Sequence, residues 1–176
     1  MMLSVGSISA QSSSADRKAA KKAKKEQEQK LALENTDRLY NLIESKQFVL
    51  EANTLFDRSG MSFQLNSNTN FVGFDGKNST IQLAFDQLVG WNGVGGITMD
   101  GTIESVEVKK GKKDVGITAT INVRPKSGGM VRMVFRSSSE GNARVDLSGA
   151  YGDKFSFQGR VVSLAETTVY KGTPLF

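Results

Sequence analysis

The amino-acid sequence predicts a mainly β fold: an antiparallel barrel or two-sheet sandwich of about eight strands with an N-terminal helix, an α+β arrangement being the alternative. Three observations carry this expectation. Apolar and polar residues alternate along short runs from Lys46 onward, turn-forming residues interrupt those runs at intervals of roughly 8–12 positions, and the segment before Lys46 follows a helical period instead. One-faced strands pack a single side on a core and leave the other wet, whereas buried parallel strands read as unbroken apolar runs. A chain of 176 residues, 38% of them hydrophobic, suffices for one domain with a core.

Residues 1–15 are expected to be the remnant of a signal peptide and a polar linker. MMLSVGSISA is apolar and small, and Ala10 before Gln11 suits a signal-peptidase cut, although the positive start and longer apolar stretch of a full signal peptide are missing. A disordered cytoplasmic N-terminus is the plainer alternative. No segment approaches the roughly 18 apolar residues of a membrane span. Residues 16–45 form the predicted helix: alanine, lysine, glutamate and glutamine favour it, and Leu31, Leu39, Leu42 and Ile43 then gather on one side. Its first half is expected to be solvated and its second half packed.

Residues 46–176 are the predicted β domain. Phe48, Leu50 and Ala52 face one way in a first strand, and Phe63 and Leu65 in a second; a third holds Phe71 and Phe74 and ends at the Asp75-Gly76 turn. Ile81, Leu83 and Phe85 alternate with Gln82 and Ala84. The clearest alternation runs from Val115 through Ile117, Ala119 and Ile121 to Val123. Val131, Met133 and Phe135 follow, then Ala143, Val145 and Leu147, then Phe155, Phe157, Gly159 and Val161. Ile103 is out of phase with Val106 and Val108, which a β-bulge near Glu104 or Ser105 would repair. Turns are expected at Lys110-Gly111-Lys112, Ser127-Gly128-Gly129, Glu140-Gly141-Asn142 and Gly152-Asp153. The four lysines around Gly111 are expected at a solvated hairpin tip.

Charge and composition narrow the chemistry. Residues 16–30 hold seven of the 23 basic side chains against three acids, a net of +4, which leaves the rest of the chain at +1. A basic arm of this kind can meet nucleic acid or an anionic membrane, but it is more simply a solvated helix, and nucleic acid is not an expected partner. The absence of cysteine removes disulfides and thiolates. The absence of histidine removes the commonest general base near neutral pH and the commonest zinc ligand. No run of alternating acids suits calcium. No metal, cofactor or catalytic residue is therefore assigned, and the protein is expected not to be an enzyme.

The stretch GWNGVGGITMDG, residues 90–101, holds five of the 18 glycines and the single tryptophan. A dinucleotide loop would need glycine where Thr98 stands, and a triphosphate loop would need Gly-Lys-Ser/Thr where Ile97 follows Gly96. A lipocalin-like G-x-W signature fails too. The run is read as a flexible connection in which Gly93, Gly95 and Gly96 permit positive φ, with the next turn at Asp100-Gly101. Trp91 is a candidate contact residue at a barrel or sandwich mouth, or else a packed one.

Phe48-Val49-Leu50-Glu51-Ala52-Asn53, Asn70-Phe71-Val72, Ile81-Gln82-Leu83-Ala84-Phe85, Gly95-Gly96-Ile97 with Gly101, and Lys171-Gly172 together resemble the domain-of-unknown-function 4251 family over roughly residues 31–176. The resemblance implies an exported protein of a Gram-negative bacterium and assigns no functional residue. The resulting expectation is a periplasmic or secreted β domain that binds an apolar or glycan-like small molecule or an envelope protein. Phe85, Trp91, Phe135 and Phe157 are its candidate contacts, though the same phenylalanines suit an ordinary filled core. The alternatives are a hydrolase using paired carboxylates among Asp75, Asp86, Asp100, Asp114, Asp146 and Asp153, or surface attachment through the basic arm.

Overall fold

The computed structural model describes residues 14–84, 93, 95–149 and 154–172. The chain divides into two compact units, residues 1–31 and 32–176. Helix α1 (Ser14–Ser45) has residues in both. In the first unit every side chain from Asp16 to Leu31 is exposed. Lys22 with Glu26 and Lys24 with Glu28, one turn apart at 3.9 and 3.8 Å, are solvated pairs of little energetic weight.

The second unit is built on nine strands: β1 (Gln47–Phe56), β2 (Ser62–Gln64), β3 (Phe71–Asp75), β4 (Asn78–Ala84), β5 (Gly96–Lys110), β6 (Ile117–Pro125), β7 (Val131–Ser137), β8 (Asn142–Ser148) and β9 (Lys154–Ser163). The order is β1-β3-β4-β5-β6-β7-β8-β9, every neighbour is antiparallel, and β9 pairs back onto β1 from Phe48↔Ser163 to Phe56↔Ser156. That last pairing makes the fold an eight-stranded closed barrel rather than a sandwich. β2 is an extra strand on the far end of β1, and its Phe63 is exposed, contrary to the inward face the pattern suggests.

Register explains which side chains fill the interior. Phe48, Leu50 and Ala52 of β1 share the inner face with Val72, Phe74, Ile81, Ala119, Ile121, Val123, Met133, Phe135, Val145, Leu147, Phe157 and Val161, all buried in one cluster. Phe48 stacks on Phe74 at 4.7 Å between ring centroids, and Phe135 meets both edge-on at 5.7 Å. Phe135 and Phe157 are thus fully buried. The phase slip in β5 is a bulge between Ile103 and Ser105, where the sequence places it, and it returns both Ile103 and Val106 to the inner face. A second bulge lies between Ala52 and Thr54 of β1.

Helix α1 closes one end of the barrel through its last turns. Leu39 and Ile43 join the core cluster. The Thr36 hydroxyl donates to the Ala32 carbonyl and accepts the Gly116 N–H at 3.1 Å. Lys110, expected at a free hairpin tip, instead bonds Asp37 at 2.6 Å and lies 5.5 Å from the Tyr40 ring centroid. Three further expectations change. Val115 precedes β6 and is exposed, because Gly116 turns the chain with φ +75° before the strand starts. Asp100-Gly101 is no turn but the middle of β5: a Cβ on Gly101 would lie 2.7 Å from Val123 and 2.8 Å from the Arg124 carbonyl, so the glycine is there to let β6 approach. Gly93 and Gly95 do have positive φ, whereas Gly96 already belongs to β5.

Candidate functional site

The outer wall of β1, β3, β4 and β5 is not left wet. Residues 164–172, in which the sequence pattern predicts no element, cross it as a strap that begins in a turn at 164–166. The Leu164 N–H bonds the Gln47 carbonyl at 3.0 Å, the Thr167 hydroxyl bonds Glu51 at 2.8 Å, and the Tyr170 N–H bonds the Asn68 carbonyl at 2.7 Å. The main anchor is Gln82. Its alternation with Ile81 and Leu83 reads as a solvated outer position, yet the side chain is fully buried. Its amide donates to the Thr69 and Tyr170 carbonyls and accepts from the Thr98 hydroxyl and the Gly172 N–H, each at 2.8 Å. All four bonds available to a carboxamide are made. Beside it, Asn70 fastens the loop before β3 to the end of β4 by accepting the Ala84 N–H at 2.7 Å.

Between strap and wall lies a groove of about 540 Å³. Val49 and Phe71 of the wall and Leu164 and Val169 of the strap make it apolar on one side. The other side carries Asp75, Asn78, Thr80, Asp100, Thr102 and Lys126. These residues converge because they occupy successive outward positions of adjacent strands: Asn78 pairs with Asp75 and Thr102, and Thr80 with Gly73 and Asp100. Lys171 reaches over from the strap and bridges both oxygens of Asp100, at 2.7 and 2.9 Å, while the Thr80 hydroxyl donates to Oδ1 at 2.7 Å. Partial burial pushes the Asp100 carboxyl up, but the hydrogen bonds from Lys171 and Thr80 outweigh it and hold the group below its ordinary value.

A second, smaller depression of about 200 Å³ opens between the β6–β7 turn and the barrel end opposite the helix, lined by Ile81, Met99, Val131, Leu147 and Phe155. On the outer wall of β7–β9, Arg136, Arg144 and Ser156 hydrogen-bond the Asp146 carboxylate. Burial raises that carboxyl, and these donors together bring it below the ordinary range. Arg144 also lies 4.3 Å from the Phe56 ring centroid, so the cluster braces the wall.

The candidate residues named from sequence separate accordingly. Phe135 and Phe157 are core. Phe85 and Trp91 lie outside the described residues; the strand ends that flank them, Ala84 and Gly96, pair with each other at the barrel end away from the helix. Asp75 and Asp100 share the groove, Asp146 sits in its own arginine cluster, and Asp114 is exposed at the β5–β6 connection. Asn78, Thr80 and Lys126 escaped notice because an outward polar residue on a strand looks the same whether it meets water or a groove. Among the described residues no group of three or more histidine, cysteine, aspartate or glutamate side chains gathers to hold a metal ion. No helix there is long and apolar enough to cross a membrane.

The model of the family described as Domain of unknown function (DUF4251) matches residues 8–161. The chain belongs to this family. A crystal structure of a DUF4251 family protein from Bacteroides eggerthii DSM 20697 is 26% identical, with 76% of this chain and 90% of that chain covered and a TM-score of 0.59. No curated protein matches. The short motifs that carry the family resemblance fall largely on the strapped wall. Gln82 and Gly172 share one of the strap's anchoring bonds, Lys171 makes the ion pair, Asn70 ties the loop before β3 to Ala84, and Gly96 makes a close approach in which a Cβ would lie 1.9 Å from the Leu83 carbonyl.

Proposed function

We propose that this DUF4251 protein is an exported, non-enzymatic domain that binds a neutral, glycan-like molecule in the groove beneath the strap. The groove carries the proposal. Its volume lies in the range of small-molecule sites, and it combines an apolar side with a few convergent polar groups. Asp75 and Asp100 are balanced in charge by Lys126 and Lys171, so the site favours neither an anion nor a cation. Asn78, Thr80 and Thr102 both donate and accept, which matches hydroxyl groups, and Val49, Phe71, Leu164 and Val169 suit the C–H face of a sugar ring. The apolar residues 1–10 ending in Ala10 support export to the periplasm or beyond.

Isothermal titration against neutral oligosaccharides tests the reading. Asn78→Ala and Lys126→Ala each remove an exposed polar contact and are expected to weaken binding about 5- to 10-fold with unchanged melting temperature. If no saccharide binds, or neither variant alters affinity, the groove is not the site. Recovery of the protein in the cytosolic fraction of its host would remove the export half of the proposal.

The presence of Asp75 and Asp100 in one groove favours a second reading, a carboxylate hydrolase. Their Cα atoms lie two strands and two residues apart, about 12 Å by sheet geometry, and such chemistry needs one carboxyl kept protonated near neutral pH. Asp100 is shifted the opposite way. Release of reducing ends from a bound oligosaccharide, abolished by Asp75→Asn or Asp100→Asn, would establish the hydrolase.

A further inference from the structure

The charges of helix α1 are not spread evenly around it. At 100° per residue, Arg17, Lys18, Lys21, Lys22, Lys24 and Lys25 fall within an arc of about 160° over about 12 Å of helix. Ala19, Ala20 and Ala23 occupy the opposite side. Glu28 lies within this arc one turn beyond Lys24, at 3.8 Å from it, and Glu26 lies just outside the arc at 3.9 Å from Lys22, so two acids stand against the six cations. Every one of these side chains is exposed, and the side chains of Lys22 and Lys24 are 80% and 78% accessible. Alternation of signs would have served solubility equally well; gathering six cations on one face makes a local positive field instead.

We infer that this basic face is a docking surface for anionic lipid headgroups. Five of the six cations are lysines, compact charges suited to a diffuse field of phosphates rather than to the forked, bidentate contacts that favour arginine. The alanine side offers no bulky apolar group to wedge into acyl chains, so the helix rests at headgroup level and is held by charge alone. The choice of lipid over nucleic acid rests on the export reading, and the groove plays no part in it.

The test is co-sedimentation of the full chain with vesicles of phosphatidylglycerol and phosphatidylcholine, and with phosphatidylcholine alone. Binding is expected only to the first, and it should disappear when salt rises from about 0.1 M to about 1 M, which shortens the screening length from about 10 Å to about 3 Å. Changing Lys18, Lys21, Lys22 and Lys25 together to glutamine preserves helix propensity and is expected to weaken binding about fivefold per lysine, several-hundred-fold in all. Lys112→Gln with Lys113→Gln, two cations exposed in the β5–β6 connection, should leave it nearly unchanged. Equal loss in both variants would reduce the effect to net charge and overturn the assignment. So would phosphatidylcholine binding as tight as that to the mixed vesicles, or the absence of vesicle binding alongside tight binding of duplex DNA.

Discussion

At Gln82 a single side chain connects three segments distant in sequence: the loop before β3, strand β5 and the strap. Two of its four bonds are buried and two partly buried, so replacing it leaves the Gly172 N–H and the Thr69 and Tyr170 carbonyls without these partners. Gln82→Leu is expected to cost about 3 kcal/mol in urea denaturation and to speed hydrogen exchange at Gly172 more than at the barrel core. Asp100 makes the same strap pH-sensitive. Its folded value lies below the ordinary 3.8, so its stabilising effect is complete above that pH and is lost as pH falls through the lower folded value. Exchange at the strap amides, corrected for intrinsic rate, should therefore rise at the acid end of the range, and Asp100→Asn should abolish that rise. Neither role is readable from the sequence. Gln82 occupies an ordinary polar position of an alternating strand and Asp100 half of an apparent turn, and the strap residues that cover them lie 88–90 and 71 residues away in chain order.

Among the elements, the helix does two jobs in two halves. Residues up to Leu31 are exposed, whereas Leu39 and Ile43 fill the end of the barrel and Thr36 satisfies the buried Gly116 N–H. A chain starting at residue 31 should keep the melting temperature of the full protein. One starting at residue 46 should not fold cooperatively, and Ile43→Ala in the full chain should cost about 2–5 kcal/mol. The basic first half and the apolar Leu39, Leu42 and Ile43 of the second make this division legible in the sequence, although Leu31, grouped with them by period, is exposed. So is the bulge in β5, because its two inward residues sit three apart, where a regular strand requires an even spacing. The strap gave no such signal, since an irregular segment that covers a wall has no period to detect. Asp100-Gly101 misled for a related reason: an Asp-Gly pair is a common turn signal, and only the neighbouring strand reveals that this glycine makes room for backbone.

Over the molecule as a whole, one-faced strands with frequent turns were enough to specify an antiparallel shell, while closure was not. Barrel and sandwich share the same alternation, and they differ in whether the last strand returns to the first. That return governs the order of events when the chain is made. Phe48 meets Ser163, so β1, the first strand to appear, pairs early with β3 on one edge but waits on its other edge for a partner on the order of a hundred residues later, and every intermediate length is an open sheet with two unsatisfied edges. The strap follows later still. The cylinder therefore forms only after its last strand has been synthesised, and until then the chain can be threaded through a narrow pore without a finished barrel having to be pulled apart.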